Sequence, residues 1–598
     1  METIKDRINL FRKYMLAKKL DAFIIPSGDP HFGEYVQDHY KSREWLSGFT
    51  GSAGTLVITI EHSALWTDSR YFVQAAEELC GTGITLMKMK VEGTPSVEEW
   101  LKGVVKDNAK VGIDASLVSV LEHGAMEKSF SPLQLVLEED PFTRLRANRP
   151  ALERGLVWVM PDDISGESCG MKLERVAAML GVEGDFNYLL STCDDVAWMC
   201  NMRGSDVLYN PLFYSYLVIH RDSMDLFVSS TSLDDESRMH LKKNKIRIHD
   251  YDSFGSFLGK MNKDFLVIAP LNKTSMATYS QIDISNVAGM QGDNIPGGVV
   301  GFLKSVKNKC EIDGFGKAMV YDGVAWVKFW MSMEKMLADG QLRVTENDLA
   351  QLLISKRGEN SDYKGESFHP IVAFASNGAQ PHYCANETNP TYIGSGNFLL
   401  VDTGAHYPFG TTDTTRTFAI GDLDQESKLD YTAVLKGMIN LSKAVFPRGT
   451  RGASMDILAR GEVFKRGKRY LHGTGHGVGH FLCVHEGPQS IRAEENPVVF
   501  QPGMVTSNEP AIYQEGNYGI RIENMLVCKE WKETCHGEFL CFDTLTLVPI
   551  DKNPVVSSEL GQENIEWLNN YHSVVYKTLS PFLDESERVW LSEKTSNI

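Results

Sequence analysis

Several acidic residues of the chain lie inside runs of apolar and β-branched residues that are typical of buried strands. Asp402 lies in LLVDTG, Asp413 in GTTDTTRT and Glu523 in YGIRIENM. In the last run, the two-residue repeat of a strand places Arg521 and Glu523 on one face and the isoleucines on the other. Burying an unpaired carboxylate is costly, so these strands can pack only where cations or several hydrogen bonds meet the acidic side chains.

The spacing of the acidic residues predicts that they lie close together. Asp402 and Asp413 are eleven residues apart, and the segment between them contains Gly404 and Gly410. Two strands joined by such a loop would bring both carboxylates side by side. Glu509 ends a further strand, in VTSNE. A salt bridge or a helix cap could satisfy any one of these groups alone, but four together would repel one another strongly.

A glycine-rich segment, LHGTGHGVGHFLCVHEGP at residues 471–488, holds four histidines among five glycines. Alternate glycines let a backbone approach a ligand closely, although a solvated turn is the competing interpretation. His476 together with the four carboxylates forms a hard, oxygen-rich ligand set. Such a set favours two divalent ions, Mn²⁺ or a similar ion, over a thiolate zinc site. Two metals that share a water are a known arrangement for hydrolysis.

Composition and charge exclude several classes of protein. The formal net charge is −18, with no evident basic block, so we do not expect nucleic acid as a partner. The N-terminal residues lack the apolar run of a signal peptide, and no stretch is long enough to span a bilayer. The ten cysteines are scattered without C-x-x-C pairs, which favours reduced thiols. We expect a cytoplasmic protein that does not bind membranes.

The length of 598 residues requires several domains. Segments starting at Asp21 and Asp185 share an order of strand, turn, helix and strand, which predicts a duplicated α/β domain, with chance similarity as the alternative. Linker-like residues occur at 145–155 and 291–311. The predicted domains are therefore residues 1–150, 151–306 and 307–598.

The third segment is predicted to be a sheet backed by helices. Helices are expected over residues 316–337, after the N-cap Thr345, and over residues 425–446 with Val434, Met438, Leu441 and Val445 on its buried face. Strands are expected at residues 397–407, 414–421, 503–513, 518–528 and 545–550. The last segment predicts a docked helix with Ile565, Leu568 and Val575 on its apolar side.

The five candidate ligands, in their order and spacing, resemble those of the M24 metallopeptidases. This family has the pita-bread fold and includes methionine aminopeptidase, prolidase, aminopeptidase P and creatinase. HGTGHGVGHFLCVHEGP, ASNGAQPHY and IRIEN are similar to the aminopeptidase P branch. The resemblance extends to the long, three-domain cytosolic type of this branch. It is carried there by PSGDPHFGEY, SGFTGSAGT and LWTDSRYF near the N-terminus and by the tail LTLVPI…IEWLNNYH.

The resemblance implies a multidomain α/β and α+β fold, in which two duplicated creatinase-like α/β domains precede a C-terminal pita-bread catalytic domain. It also implies the role of each ligand. Asp402 would chelate one metal, Asp413 and Glu523 would bridge both, and His476 and Glu509 would complete the second. Glu509 would also be the general base toward the bridging water.

Further residues match the substrate side of the family. His382, His472 and His485 fall on the histidines that bind the peptide and stabilise the tetrahedral intermediate or the leaving group. Tyr513 and Arg521 fall where the family lines its proline pocket. The resemblance also implies a homodimer, and Arg70 in WTDSRY is a candidate contact at the active-site mouth or the dimer interface.

The activity implied is release of the N-terminal residue from peptides with proline second, by a hydroxide that two metals activate. Mn²⁺ is the favoured ion, and Zn²⁺, Co²⁺ or Fe²⁺ are alternatives. A prolidase would use the same ligands on Xaa-Pro dipeptides. Creatinase works without metal, and a non-catalytic pita-bread scaffold would have lost ligands, whereas this chain keeps all five.

Four residues near these motifs are expected to have no chemical role. We expect His480 to be a partly exposed packing histidine and His369 to be structural. Cys384 and Cys483 flank the motifs, but a nucleophilic cysteine needs a paired base, and the neighbouring histidines already have other expected roles.

Overall fold

The computed structural model describes residues 2–339 and 343–598, which form two compact units. The first unit comprises the residues up to 160 and residues 167–301, and the second comprises residues 161–166 and 302–598. No helix of the described residues is both long enough and apolar enough to cross a membrane. The ten cysteines, all within the described residues, form no disulfide.

The first sheet of the first unit is built by the N-terminal residues. Its elements are α1 (Ile4–Lys18), β1 (Ala22–Pro26), α2 (Ser42–Ser47), β2 (Thr55–Thr59), β3 (Ser63–Thr67), α3 (Phe72–Glu78), β4 (Thr85–Lys88), α4 (Val97–Val104), β5 (Lys110–Asp114), α5 (Val120–Phe130), β6 (Gln134–Glu138) and α6 (Phe142–Leu145). The strand order is β4-β3-β2-β1-β5-β6. Helix α1 begins at a capping box formed by Thr3 and Asp6, and buries Ile8, Phe11 and Met15.

The second sheet repeats this plan. The elements that follow α6 are β7 (Val157–Val159), α7 (Asp162–Ser165), α8 (Cys169–Leu180), β8 (Phe186–Leu190), α9 (Cys193–Met199), β9 (Met202–Gly204), β10 (Ser215–Ile219), β11 (Met224–Val228), α10 (Asp235–Lys243), β12 (Ile246–Asp250), α11 (Phe254–Leu258), β13 (Leu266–Ala269), α12 (Met276–Ser280), β14 (Gly289–Gly292) and α13 (Val299–Ser305). The sheet order is β12-β11-β10-β8-β13-β14, and α7 belongs to the second unit.

The two sheets have the same strand directions. In each, one strand (β2 or β10) runs antiparallel to both of its neighbours, and the other adjacent strands pair parallel. The prediction of a duplicated α/β fold is therefore confirmed, although the repeat is weak in sequence. The order and pairing of the strands and helices can stay the same while many side chains change.

The second unit combines small antiparallel sheets with long helices. Its elements after α13 are α14 (Lys309–Ala338), α15 (Glu346–Arg357), β15 (Ile371–Phe374), β16 (Asn397–Thr403), β17 (His406–Tyr407), β18 (Gly410–Thr411), β19 (Thr414–Ile420), α16 (Gln425–Ser442), β20 (Val445–Pro447), α17 (Gly452–Lys465), β21 (Gly475–His476), β22 (Ser490–Ile491), β23 (Val505–Asn508), β24 (Ala511–Gln514), β25 (Tyr518–Arg521), β26 (Asn524–Thr534), β27 (Gly537–Thr544), α18 (Ser557–Leu560), α19 (Gln562–Leu579) and α20 (Glu585–Lys594). The larger sheets are β15-β16-β19 and β20-β27-β26-β23.

Helices α16 and α19 cover the apolar face of these strands. Val434 and Met438 from α16 share one buried cluster with Ile520 and Ile522 from the strand region, and with Leu568 from α19. Val575 belongs to the same cluster, and Ile565 packs against it while partly buried. The helices predicted over residues 316–337, after Thr345, and near the C-terminus are confirmed.

Two local predictions are wrong. Val445 was expected on the buried face of a helix, but α16 ends at Ser442, and Val445 lies 46% exposed in β20. Residues 545–550 were expected to form a strand, but β27 ends at Thr544 and these residues form no strand, although the Leu545 N–H still donates to the Met525 carbonyl of β26. Their backbone groups instead bond to the side chains of Arg416, Tyr571 and His572, which takes the place of a ladder.

Candidate metal centre

Two adjacent strands place the first two carboxylates. Strands β16 and β19 pair antiparallel, with Asp402 opposite Thr415, and Asp413 directly precedes β19. Glu523 lies between β25 and β26, and its backbone N–H donates to the Thr415 carbonyl at 3.1 Å. The Thr415 hydroxyl also donates to Glu523 Oε2 at 2.7 Å. Thr415 therefore joins Glu523 to the strand that pairs with Asp402.

Strand β21 and the end of β23 bring His476 and Glu509 to the same place. His476 Nε2 lies 3.4 Å from Asp413 Oδ2 and 3.6 Å from Glu509 Oε1. Its Nδ1 lies 2.9 Å from the Gly477 carbonyl, which favours a hydrogen on Nδ1 and leaves Nε2 free to bind a cation. The Glu509 N–H donates to the Thr474 carbonyl at 2.7 Å, which fixes the backbone beside the histidine segment.

The electrostatics of this cluster fit divalent cations. Ligand atoms of Asp413, His476 and Glu523 all lie within 4.8 Å of one another. Burial, and then the neighbouring carboxylates, raise the pKa of Asp413 and Glu523 well above the usual range. The same two causes, burial first and then Glu523, raise the pKa of Glu509 to about 7. Without cations, these groups could be charged together only at high cost.

Asp402 provides a second indication of a cation. Its Oδ2 accepts a hydrogen bond from Arg521 Nη2 at 2.5 Å. Its Oδ1 is buried and has no hydrogen-bond partner within the described part of the chain. A buried acceptor of this kind is rare unless an ion or a water meets it. The all-carboxylate and imidazole donor set suits Mn²⁺-type ions, so the residues present fit a pair of divalent metals.

A chain of hydrogen bonds links the metal ligands to the expected substrate side. Arg521 Nη1 donates to the Tyr513 hydroxyl at 2.5 Å, and that hydroxyl lies 2.9 Å from His472 Nε2. His472 Nδ1 lies 2.7 Å from the Gly473 carbonyl, which leaves Nε2 to accept from Tyr513. Tyr513 therefore links His472 to Arg521, which in turn contacts Asp402.

The other two substrate-side histidines lie on two different segments. The His485 ring packs edge-on against His476, with ring centroids 4.4 Å apart. His382 is half-buried in a turn, beside Pro381, whose carbonyl accepts from Arg521 Nη2 at 3.4 Å. Sequence positions about 100 residues apart are thereby gathered around the carboxylates.

Comparisons with known proteins place this site in a family. The chain matches the models for metallopeptidase family M24 over residues 315–530, for the C-terminal region of peptidase M24 over 538–598, and for the creatinase/prolidase N-terminal domain over 7–147 and 148–311. It is 38% identical to a probable Xaa-Pro aminopeptidase P of Fusarium vanettenii, covering 99% of this chain and 98% of the relative. The chain belongs to the aminopeptidase P family of M24 metallopeptidases.

Further relatives are similar to this M24 chain over nearly its whole length. Xaa-Pro aminopeptidase 1 of Dictyostelium discoideum is 34% identical over 98% of this chain and 94% of the relative. The crystal structure of X-prolyl aminopeptidase from Caenorhabditis elegans, described as a cytosolic enzyme with a di-nuclear active site, superimposes with a TM-score of 0.93. It is 33% identical, with 100% of both chains covered.

Three supporting groups of this M24 site were missed by the sequence reasoning. Arg416 donates to the carbonyls of Thr415 and Glu523 and so holds the strands that carry two ligands. Glu486, next to His485, accepts from the buried Lys307. Arg460 donates to the His472 carbonyl. A charged residue inside an apolar strand, such as Arg416 in TTRTF, is the signal that could have found the first of them.

Residues expected to be uninvolved require one correction. His480 was expected to be partly exposed, but it is buried, with Nδ1 3.9 Å from Glu311 Oε1 on α14. Helix α14 approaches closely at Gly314, where even a Cβ would come within 3.0 Å of the His480 ring. Arg70, in the first unit, pairs through two hydrogen bonds with Asp68.

Proposed function

We propose that this chain is an Xaa-Pro aminopeptidase, a metal-dependent enzyme that releases the N-terminal residue from peptides with proline second. Full-length similarity to Xaa-Pro aminopeptidases supports the substrate class. The observation that carries the chemistry is the buried cluster of carboxylates and His476, in which Asp402 Oδ1 lacks a partner among the described residues. Such a cluster calls for cations rather than for a purely structural role.

Asp402, Asp413, His476, Glu509 and Glu523 would hold two divalent ions. Mn²⁺ is the favoured metal because the donors are hard oxygen atoms and one imidazole, with Zn²⁺, Co²⁺ or Fe²⁺ as alternatives. When bound, such ions lower the pKa of a water molecule and stabilise developing negative charge on the scissile carbonyl oxygen.

The protein's own residues position the peptide and move the proton. Glu509 accepts the proton of the attacking water. His485 and His382 donate to the oxyanion or to the departing proline nitrogen, and His472 contacts the peptide from the side of Tyr513. Tyr513 and Arg521 line the site of the proline ring. An Xaa-Pro bond has no N–H, so shape around the ring has to replace that hydrogen bond.

Three further features belong to this proposal. The chain consists of domains at residues 1–150, 151–306 and 307–598, acts in the cytoplasm, and forms a homodimer to which Arg70 contributes. The absence of disulfides among the described residues and the cytosolic relative support the compartment. If the purified protein sediments as a strict monomer at micromolar concentration, the prediction of a homodimer is wrong.

The activity is tested by comparing Arg-Pro-Pro with Arg-Pro as substrates of the metal-loaded protein. We expect hydrolysis of the tripeptide and little of the dipeptide, whereas preference for the dipeptide would indicate a prolidase. Glu509→Gln should abolish tripeptide turnover, because the amide cannot accept the water's proton. Near wild-type turnover in this variant would contradict the role of Glu509, and a protein that retains no transition metal would favour a binding scaffold.

A further inference from the structure

The loop over residues 374–383 carries one of the substrate-side histidines, and a single buried carboxylate holds both of its ends. Glu346 Oε1 accepts from the Phe374 N–H at 2.6 Å, where the loop begins. Glu346 Oε2 accepts from the Tyr383 hydroxyl at 2.8 Å, where the loop ends. In the middle of the loop, Asn377 Nδ2 donates to Glu346 Oε1 at 3.0 Å. One side chain therefore fixes the loop at three points along its length.

The start of helix α15 places this carboxylate. Glu346 is the first residue of the helix, directly after the N-cap Thr345, and it is 1% exposed. Burial raises the pKa of Glu346, whereas the hydrogen bonds that it accepts from the loop favour its charged form. The positive end of the helix dipole also stabilises a carboxylate in the first turn. The charge of Glu346 and the conformation of the loop therefore depend on each other.

Strand β25 supports the same loop from another side. A Cβ at Gly378 would lie 2.9 Å from the Gly519 nitrogen, so the two backbones meet where no side chain fits. In the β24–β25 pair, Gly519 lies opposite Tyr513. Arg521, at the end of β25, donates from Nη2 to the Pro381 carbonyl at 3.4 Å. The loop is therefore held between α15 and the strand that carries the expected substrate-side residues.

We propose that Glu346 is a positioning residue of the peptidase, which sets the place of His382 against the peptide by holding the 374–383 loop. His382 is partly buried and lies between Pro381 and Tyr383, which both make the hydrogen bonds given above. Among the described residues, the hydrogen bonds of Glu346 reach none of the five candidate metal ligands, so Glu346 acts through the loop. Misplacing a catalytic group by about 1 Å can lower the rate about a hundredfold. This inference rests on the proposed peptidase function.

A double-mutant cycle tests this role in the full-length, metal-loaded protein, with Arg-Pro-Pro as the substrate. Glu346→Gln replaces one acceptor oxygen by an amide nitrogen that cannot accept from the loop, so kcat should fall by about tenfold to a hundredfold while KM changes little. His382→Ala should lower kcat by about a hundredfold. In that background, Glu346→Gln should lower kcat by less than about twofold, because no histidine is left to position. Losses that multiply in the double variant, or a wild-type kcat in Glu346→Gln, would overturn the positioning role.

Asp551→Asn is the matched control for a loss of stability. Asp551 is also buried, and it accepts from the backbone N–H groups of Ala419 and Asn553. Ala419 lies at the end of β19 opposite to Asp413. Both Asp551→Asn and Glu346→Gln should lower the unfolding midpoint in calorimetry, but Asp551→Asn should keep the wild-type kcat. An equal loss of kcat in the two variants would show that both losses come from the fold, and would overturn the proposal.

Tyr383→Phe decides the question if Glu346→Gln does not fold. It removes only the hydrogen bond at the end of the loop, so kcat should fall by about fivefold, and by less than about twofold when it is combined with His382→Ala. A wild-type protein that does not hydrolyse Arg-Pro-Pro would overturn the proposed function and this role with it. Multiplying losses in an active enzyme would overturn only the role of Glu346.

Discussion

The buried ion cluster around Glu486 yields the most quantitative prediction for stability. Lys307 Nζ lies 2.6 Å from Glu486 Oε1, and Lys304 Nζ lies 3.2 Å from Oε2, with all three side chains at most 2% exposed. Glu486→Gln removes the negative charge that both lysines contact and leaves two ammonium groups buried. Breaking a buried pair costs about 3–5 kcal/mol, which lowers the unfolding midpoint of a unit of about 300 residues by roughly 5–8 °C.

The matched control is an exposed pair with the same geometry. Lys309 and Asp313 also approach to 2.6 Å, but their side chains are 85% and 64% exposed. Asp313→Asn should cost less than about 1 kcal/mol, because solvent already screens that pair. Differential scanning calorimetry of the metal-loaded protein compares the two variants. Equal midpoints for Glu486→Gln and Asp313→Asn would refute the reasoning. Adding Lys304→Met and Lys307→Met to Glu486→Gln should restore part of the lost stability, because the buried ammonium groups are then gone.

Three further predictions address stability and the substrate side. Burial lowers the pKa of His572 to about 3, and its Nε2 accepts from the Ile550 N–H. Below pH 6.5 the unfolded state therefore binds a proton that the folded state does not. The free energy of unfolding falls as the pH drops from about 6.5 toward 3. His572→Gln should flatten this slope, by up to about 1.4 kcal/mol per pH unit in urea titrations, and an unchanged slope would contradict the assignment. Leu568→Ala should cost about 2–5 kcal/mol of unfolding free energy, because the side chain is fully buried, and a loss below 1 kcal/mol in the same assay would count against this packing. Tyr513→Phe breaks the hydrogen bond to His472 and should lower kcat/KM for Arg-Pro-Pro about tenfold. Wild-type kinetics in this variant would contradict a role for Tyr513 in substrate binding.

Local patterns predicted much of the fold. The alternation in YGIRIENM placed the isoleucines in the core, and the loop between Asp402 and Asp413 joined two paired strands. Both features depend on residues close in sequence, where the periods of strands and helices are decisive. The repeat of the two N-terminal sheets followed from the order of elements, even though few residues matched.

The remaining features depend on contacts between distant segments. Residues 545–550 contain a strand-like pattern, but Arg416 and His572 occupy their backbone groups from more than 20 residues away. The burial of His480 depends on the approach of α14, and the pairing of Cys384 with His369 depends on how two loops meet. Nothing in the local sequence of these segments encodes such partners.

The central claim is that the buried carboxylates coexist because two divalent ions neutralise them. Its most direct test is the metal content of the purified full-length chain after loading with Mn²⁺ and gel filtration, measured beside the variant that combines Asp413→Asn with Glu523→Gln. We expect two tightly held ions per wild-type chain and neither ion in the variant. A wild-type chain that holds no ion under these conditions, or a variant that binds as many as the wild type, would contradict it.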